Sequence, residues 1–307
     1  MTDATTATNG GPTGSIYDIG YRRYEGPRLG RAHAIRSLFT HSLRSSFGIG
    51  RGGRAKVAPI ILGALALIPA IAIVAAMTLV GQFGIGSQFA ASSPIRYDTY
   101  FASISTIIVL FCAAQAPELF GRDQRHGVLA LYFARALRRS DYALARIGGF
   151  VIALLILELL PQVVLFLGRV LLSPDIPHAV GEDLPSVGPV LVQSALSAAL
   201  LGGLSMAVSA FSPRRAYAVA GIIALFTIPS IVSGIVASVG SSTIGTWLIL
   251  LSPTSILDGT NGILFGTPLV SDFSVIDLPD IAYLGAAAVG IVGSIAIAVR
   301  RFVRITA

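Results

Sequence analysis

Glu158 is the one carboxylate lying inside a long apolar run of this chain, twelve residues beyond Arg146 and one turn before Pro161. A charge placed in such surroundings is costly, so the group must face a protein interior or a watery cavity. Two readings stay open: a contact lining a polar path beside a proline-induced break, or a protonated or packed carboxyl that holds two helices together. The remaining chemistry-bearing side chains form no constellation. His33, His41, His126 and His178 share no ligand spacing and Cys112 has no second cysteine, so zinc, haem and disulfide chemistry lack their groups. There is no G-x-S-x-G elbow, and Cys112 has no usable histidine nearby for nucleophilic catalysis. Gly48, Gly50 and Gly53 fit G-x-G-x-x-G, yet a basic flank leads there into an apolar run where a dinucleotide fold needs a strand, a turn and a helix. Lys56 follows Ala55 and precedes Val57, where a phosphate loop requires Gly before and Ser or Thr after. A glycine-rich hinge is the reading of this stretch. No catalytic residue, cofactor site or metal site is therefore expected, and nothing in the chain argues for an enzyme.

The elements that must carry these residues follow from composition. Of 307 residues 54% are apolar and only 12% are charged, against a usual share of about 45–50% and 25%. With a mean hydropathy of +0.78, that apolar surface exceeds what a water-facing shell conceals, and an integral membrane protein is expected. Lys56 is the one lysine beside 21 arginines, which together with abundant Ala and Gly points to a GC-rich bacterial genome.

A spanning helix needs about 20 mostly apolar residues to cross about 30 Å of hydrocarbon. Six stretches qualify, at 57–80, 100–116, 147–167, 189–211, 216–239 and 281–299. With that placement, 20 of the 22 basic residues fall on one side, and Arg96 and Arg169 alone on the other. The second side carries Asp98, Asp175, Glu182, Asp183, Asp258, Asp272, Asp277 and Asp280 instead. The positive-inside rule then places both termini in the cytoplasm. The net charge of +7 is thus a topology signal, and no nucleic acid is expected as partner. The expected fold class is an all-α integral membrane protein with six transmembrane helices and an interfacial amphipathic helix before them.

Residues 1–27 are polar, rich in Thr, Gly and Pro, and read as a disordered cytoplasmic tail without a secretory signal. Residues 28–56 hold the interfacial helix and basic flank, with Ile35, Leu38, Phe39, Leu43 and Phe47 at helical spacing between Arg28, Arg31, Arg36 and Arg44. That pattern suits the inner leaflet, apolar side down and arginines toward anionic lipid headgroups. Residues 57–307 form the six-span domain. On its last span Ala286, Gly290, Ser294 and Ala298 make a small-residue stripe that lets another helix approach, within the chain or from a second subunit.

The segment 117–146 is cytoplasmic under this topology and too long for a simple connection. It mixes charge with Val128, Leu129, Leu131, Tyr132 and Phe133, which need a cover. Short helical elements docking on a soluble partner would supply it, with Glu118, Arg122, Asp123 and Arg125 as polar rim contacts. Here the chain resembles the permease subunits of type 2 ATP-binding-cassette exporters. Asp123, Arg125, Gly127, Leu129, Leu131, Arg135, Arg138, Arg139, Asp141 and Tyr142 look like the family pattern after the second span, while Ala136 stands where members often have Pro. The resemblance extends from about Ile35 to Arg304. It also matches short membrane-dipping helices in the extracytoplasmic segment 240–280, where the apolar stretch 246–253 ends in Pro253.

The resemblance implies a coupling helix seated in a cleft of the ATPase, carried onto Gly121 through Tyr132. The ATPase-coupling residues are then Glu118, Gly121, Arg122, Asp123, Arg125, Gly127, Leu129, Leu131 and Tyr132. It further implies two ATPase subunits that bring ATP and magnesium, and a second copy of this chain or a related permease. Export of an amphiphilic or lipid-like compound across a bacterial inner membrane follows, with Glu158 as the candidate path residue. The competing readings are a membrane anchor or scaffold for a cytoplasmic complex and a secondary transporter. The latter would want coupling-ion residues at mid-membrane and an internal repeat, and Glu158 stands alone.

Overall fold

Long runs of Ala, Leu, Ile and Val settle into helix in a membrane because only a helix or a closed barrel satisfies every backbone group without water. A computed structural model describes residues 26, 29–82, 97–134, 137–239, 247–267, 270–271, 274–275 and 278–304. The tail 1–25, Arg28, Arg96, Arg135, Ala136, Asp272, Asp277 and the segment 240–246 lie outside the described residues. The described elements are α1 (Gly30–Ser46), α2 (Gly53–Gln82), α3 (Tyr97–Arg125), α4 (Leu129–Phe133), α5 (Arg139–Leu172), α6 (Ile176–Phe211), α7 (Arg215–Val239), α8 (Pro253–Phe265) and α9 (Asp280–Arg304). A single 3-10 turn, Ile249–Leu251, precedes α8. Two strands of two residues each, β1 (Val270–Ser271) and β2 (Ser274–Val275), pair antiparallel before α9 and were not foreseen.

Six of the helices, α2, α3, α5, α6, α7 and α9, are long and apolar enough to cross a membrane. Each expected span lies within one of them. The largest difference is α3, which continues through Pro117 to Arg125. Glu118 to Arg125 are therefore helix, and the expected thirty-residue loop shrinks to a turn, the five-residue α4 and a short link. The turn is made at Gly127, whose φ of +63° suits glycine. α5 is likewise continuous through Pro161, so the break named in one of the two readings of Glu158 does not interrupt this helix. In a bundle the group that a proline frees finds other partners, so the helix persists.

α6 is the hub: its apolar window is the most buried of the six, while α2, α7 and α9 are the most exposed. At about 1.5 Å per residue, its 36 residues reach roughly 54 Å, well beyond the hydrocarbon thickness of about 30 Å. Asp175 caps its start by accepting from His178 N at 3.2 Å. Peripheral helices turn Ile61, Ile68, Ile231, Val289 and Val292 outward, as spans that face lipid do. α8, with 13 residues, is too short to cross. Ser252 caps it, Pro253 opens it and Gly266, at φ +62°, ends it. It packs into the bundle so closely that a Cβ on Gly259 would fall 2.1 Å from Tyr283 Cδ1.

α1 docks on the first turns of α5. A Cβ on Gly149 would meet Ser42 Cβ at 2.6 Å and Phe39 O at 2.8 Å, so glycine is what permits the approach. Leu38 is buried, and Ile35, Phe39, Leu43 and Phe47 are half-buried, with Arg36 and Arg44 exposed. The protein itself thus takes up part of the apolar stripe expected to face lipid.

Candidate functional site

The Arg-rich end of the bundle gathers three carboxylates, each holding an arginine from another element. On α5, Asp141 accepts from the Arg138 backbone N at 3.1 Å, capping the helix, and from Arg31 Nε and Nη2 at 2.7 and 2.6 Å. On α3, Glu118 binds Arg51 of the α1–α2 link with one oxygen and Arg215 of α7, at 3.0 Å, with the other. Asp123, one turn on, pairs with Arg146 and accepts from Tyr142 Oη at 2.7 Å. Arg146 Nη2 also donates to Tyr132 Oη at 3.3 Å, and Nη1 to Ser42 Oγ at 3.4 Å.

Rings close this network off from water. Tyr142 lies 5.2 Å from Phe302, 5.3 Å from Tyr132 and 5.9 Å from Phe133 between ring centroids, and Arg146 sits over both Tyr132 and Tyr142. Arg139 covers Phe133 and donates to Val303 O at 3.1 Å, which ties α9 to the same end. The short α4 is thereby held by Tyr132, Phe133 and the buried Leu129. Gly121 packs beneath the α6–α7 link, where its Cβ would fall 3.4 Å from Ser212 O.

The expected coupling residues divide accordingly. Gly121, Asp123 and Leu129 are buried inside the chain, Glu118 and Tyr132 are half-buried, and Arg122, Arg125, Gly127 and Leu131 are exposed. Of the expected polar rim, Glu118 is paired with Arg51 and the half-exposed Arg215, and Asp123 with the buried Arg146, while Arg122 and Arg125 are exposed. Leu129 needs no outside cover at 9% exposure, whereas Leu131 stands out at 69%. Desolvation and the nearby Arg146 guanidinium lower the pKa of His41. The sequence reading missed Arg51, Tyr142, Arg146 and Arg215 as network members. Tyr142, Arg146 and Phe150 recur every fourth residue at the mouth of a span, a pattern that marks an inward-facing arginine with aromatic cover.

Glu158 sits between α5 and α6 with 1% exposure and accepts from Ser197 Oγ at 2.9 Å. Around it the bundle core is polar: Gln115, Gln162, Gln193 and Ser194 are buried, and Gln193 Nε2 donates to Leu257 O at 2.9 Å and its Oε1 accepts from Thr260 at 3.0 Å. Toward the other end, Arg169 pairs with Asp183 at 2.9 Å and lies over Tyr97. The stripe on α9 packs within the chain. A Cβ on Gly290 would fall 2.6 Å from Leu200 Cδ1, one on Gly203 would fall 2.5 Å from Ser294 Oγ, and Ala298 is fully buried. No group of His, Cys, Asp and Glu is arranged to hold a metal among the described residues. No protein-family model matches the chain, and no curated protein matches it.

Proposed function

We propose that this chain is the membrane-spanning permease subunit of an ATP-binding-cassette exporter, paired with a second permease copy and driven by two separate ATPase subunits that supply ATP and magnesium. The observation that carries the reading is α4: a short helix between the second and third spans, locked to the bundle by Tyr132, Leu129 and the Asp123–Arg146 pair, yet presenting Leu131 and the nearby Arg122 and Arg125 outward. A connecting turn has no need of such anchoring. A surface that receives force from a moving partner does, because a push on α4 passes through the network into α3 and α5 together. Since Glu118 and Asp123 are neutralised inside, the docking face is apolar and positive, and the ATPase groove it fits is apolar with an acidic rim.

The basic end lies in the cytoplasm with both termini, α1 rests beside the headgroups of the inner leaflet of a bacterial membrane, and the cargo is amphiphilic or lipid-like. The path forms between two copies, a placement supported by α6, whose apolar window is the most buried of the six. The test is purification from the native membrane in mild detergent, followed by mass spectrometry and ATP hydrolysis measurements. A stoichiometric ATPase that is lost on Leu131→Asp supports the proposal. No ATPase under several gentle conditions replaces it with the scaffold reading.

A further inference from the structure

The middle of the bundle holds a carboxyl with half of its hydrogen bonding unmet. Oε1 of Glu158 accepts from Ser197, but Oε2 is buried without a hydrogen-bond partner among the described residues. No basic side chain pairs with it: the ion pairs of the described residues all lie toward the helix ends. Along α5 the nearest basic groups, Arg146 and Arg169, are twelve and eleven residues away, about 18 and 16 Å at the helical rise. On the long helices packed against α5 the charged groups and histidines likewise lie toward the ends, and α1 lies at the Arg-rich end. These are Arg31, His33, Arg36, His41 and Arg44 on α1, Arg54 and Lys56 on α2, and Asp98, Glu118, Arg122, Asp123 and Arg125 on α3. α6 adds His178, Glu182 and Asp183, and α9 adds Asp280, Arg300, Arg301 and Arg304. Cys112, fully buried on α3, is the one ionisable side chain in the middle turns of α2, α3, α6 and α9, and a thiol carries no compensating charge.

An ionised carboxylate so placed is shielded from bulk solvent and has no counter-charge among the described residues, which makes the charged form costly. The second unmet group points the same way. Gln162, four residues on and so on the same helix face, is 7% exposed, and its Oε1 is also buried without a partner. Two orphan acceptors one turn apart share one remedy, a single hydrogen between them.

We propose that Glu158 is an intramembrane proton-binding site, its carboxyl carrying a proton on Oε2, directed at Gln162 Oε1, while α5 and α6 are packed together. When the two helices part and water enters, the proton passes from Oε2 to water. The carboxylate that remains still accepts from Ser197. Protonation and the α5–α6 seam are therefore linked: each packing event takes up one proton and each opening releases one.

The experiment uses the full chain in lipid nanodiscs and infrared spectroscopy at neutral pH, comparing wild type with Glu158→Gln. The expected result is the carbonyl band of a protonated carboxylic acid in dry surroundings, shifted by deuterium oxide and lost in Glu158→Gln. Absence of the band in wild type, or its persistence in the variant, overturns the proposal. A second reading is thermal unfolding. Gln reproduces the neutral acid, donating to Gln162 and accepting from Ser197, so Glu158→Gln unfolds where wild type does while Glu158→Ala unfolds lower. A Gln variant as unstable as the Ala variant shows that the charged form is the one the fold requires, and overturns the proposal. Neither measurement involves an ATPase or a cargo, so this inference and the permease reading fail separately.

Discussion

Asp123→Ala removes the counter-ion from a guanidinium that is 2% exposed. What remains to Arg146 is a Tyr132 hydroxyl at 3.3 Å, a Ser42 hydroxyl at 3.4 Å and two ring faces, none of which carries charge. Breaking a buried pair by deleting one partner costs about 3–5 kcal/mol, because the other charge stays buried. With an unfolding entropy of about 2.1 cal/mol/K per residue, that loss lowers the melting temperature of a chain this long by roughly 5–8 °C. The figure is a lower bound, since spans that stay helical in the unfolded state reduce the entropy gained. The assay is thermal unfolding in detergent, followed by intrinsic fluorescence, of wild type, Asp123→Ala and the double variant Asp123→Leu with Arg146→Met. Apolar replacement of both partners is expected to restore stability to within about 1 kcal/mol, as buried pairs often exchange for hydrophobic contact without loss. A cost for Asp123→Ala below about 1 kcal/mol, the range of exposed pairs, refutes the argument that the network is sealed.

Leu131→Asp is expected to leave the melting temperature unchanged while abolishing ATPase co-purification, whereas Leu129→Asp, which buries a charge, lowers stability whether or not the partner is present; equal behaviour of the two in melting and pull-down experiments contradicts the division made at α4. Gly149→Val drives a side chain into Ser42 and the Phe39 carbonyl, so α1 is expected to leave α5 and become open to limited proteolysis at Arg36 and Arg44, at a cost of about 1–3 kcal/mol. Gly259→Ala presses on the Tyr283 ring and is expected to cost a similar amount, read as a lower melting temperature. For orientation, in a Cys112→Ala background Glu182→Cys is expected to react with a membrane-impermeant thiol reagent in intact cells, and Arg125→Cys only after permeabilisation; the reverse pattern inverts the topology.

The six long helices were legible because their signal is additive: each needs only a mean apolarity over about twenty residues, and no single position decides it. Their ends were less so. α3 runs past Pro117, and Glu118 just beyond it is held by arginines from residues 51 and 215, far away in sequence. α5 likewise runs past Pro161, since a proline interrupts a helix only where the freed backbone group stays unmet. The stripe from Ala286 to Ala298 announced a close approach correctly, but its partner, around Leu200 and Gly203, carries an equally common pattern of small residues. A stripe names one side of a contact.

At the Arg-rich end the sequence did not show how the carboxylates of segment 117–146 are paired, for a reason that applies beyond this chain. Carboxylates between two spans look solvent-exposed in sequence, since nothing nearby is apolar enough to bury them. Burial here is conferred by elements that arrive from elsewhere: Arg51 from the link after α1, Arg215 from the start of α7 and Phe302 from the last span. Their effect is to remove negative charge from the surface without removing it from the sequence. The surface left behind is more basic than the composition of segment 117–146 implies, and Leu131 and Leu144 are its exposed large aliphatic residues among those described. The charge this end presents is therefore set by the pairing inside the bundle, so that a change in the packing of α1, α7 or α9 alters that surface without touching a residue on it.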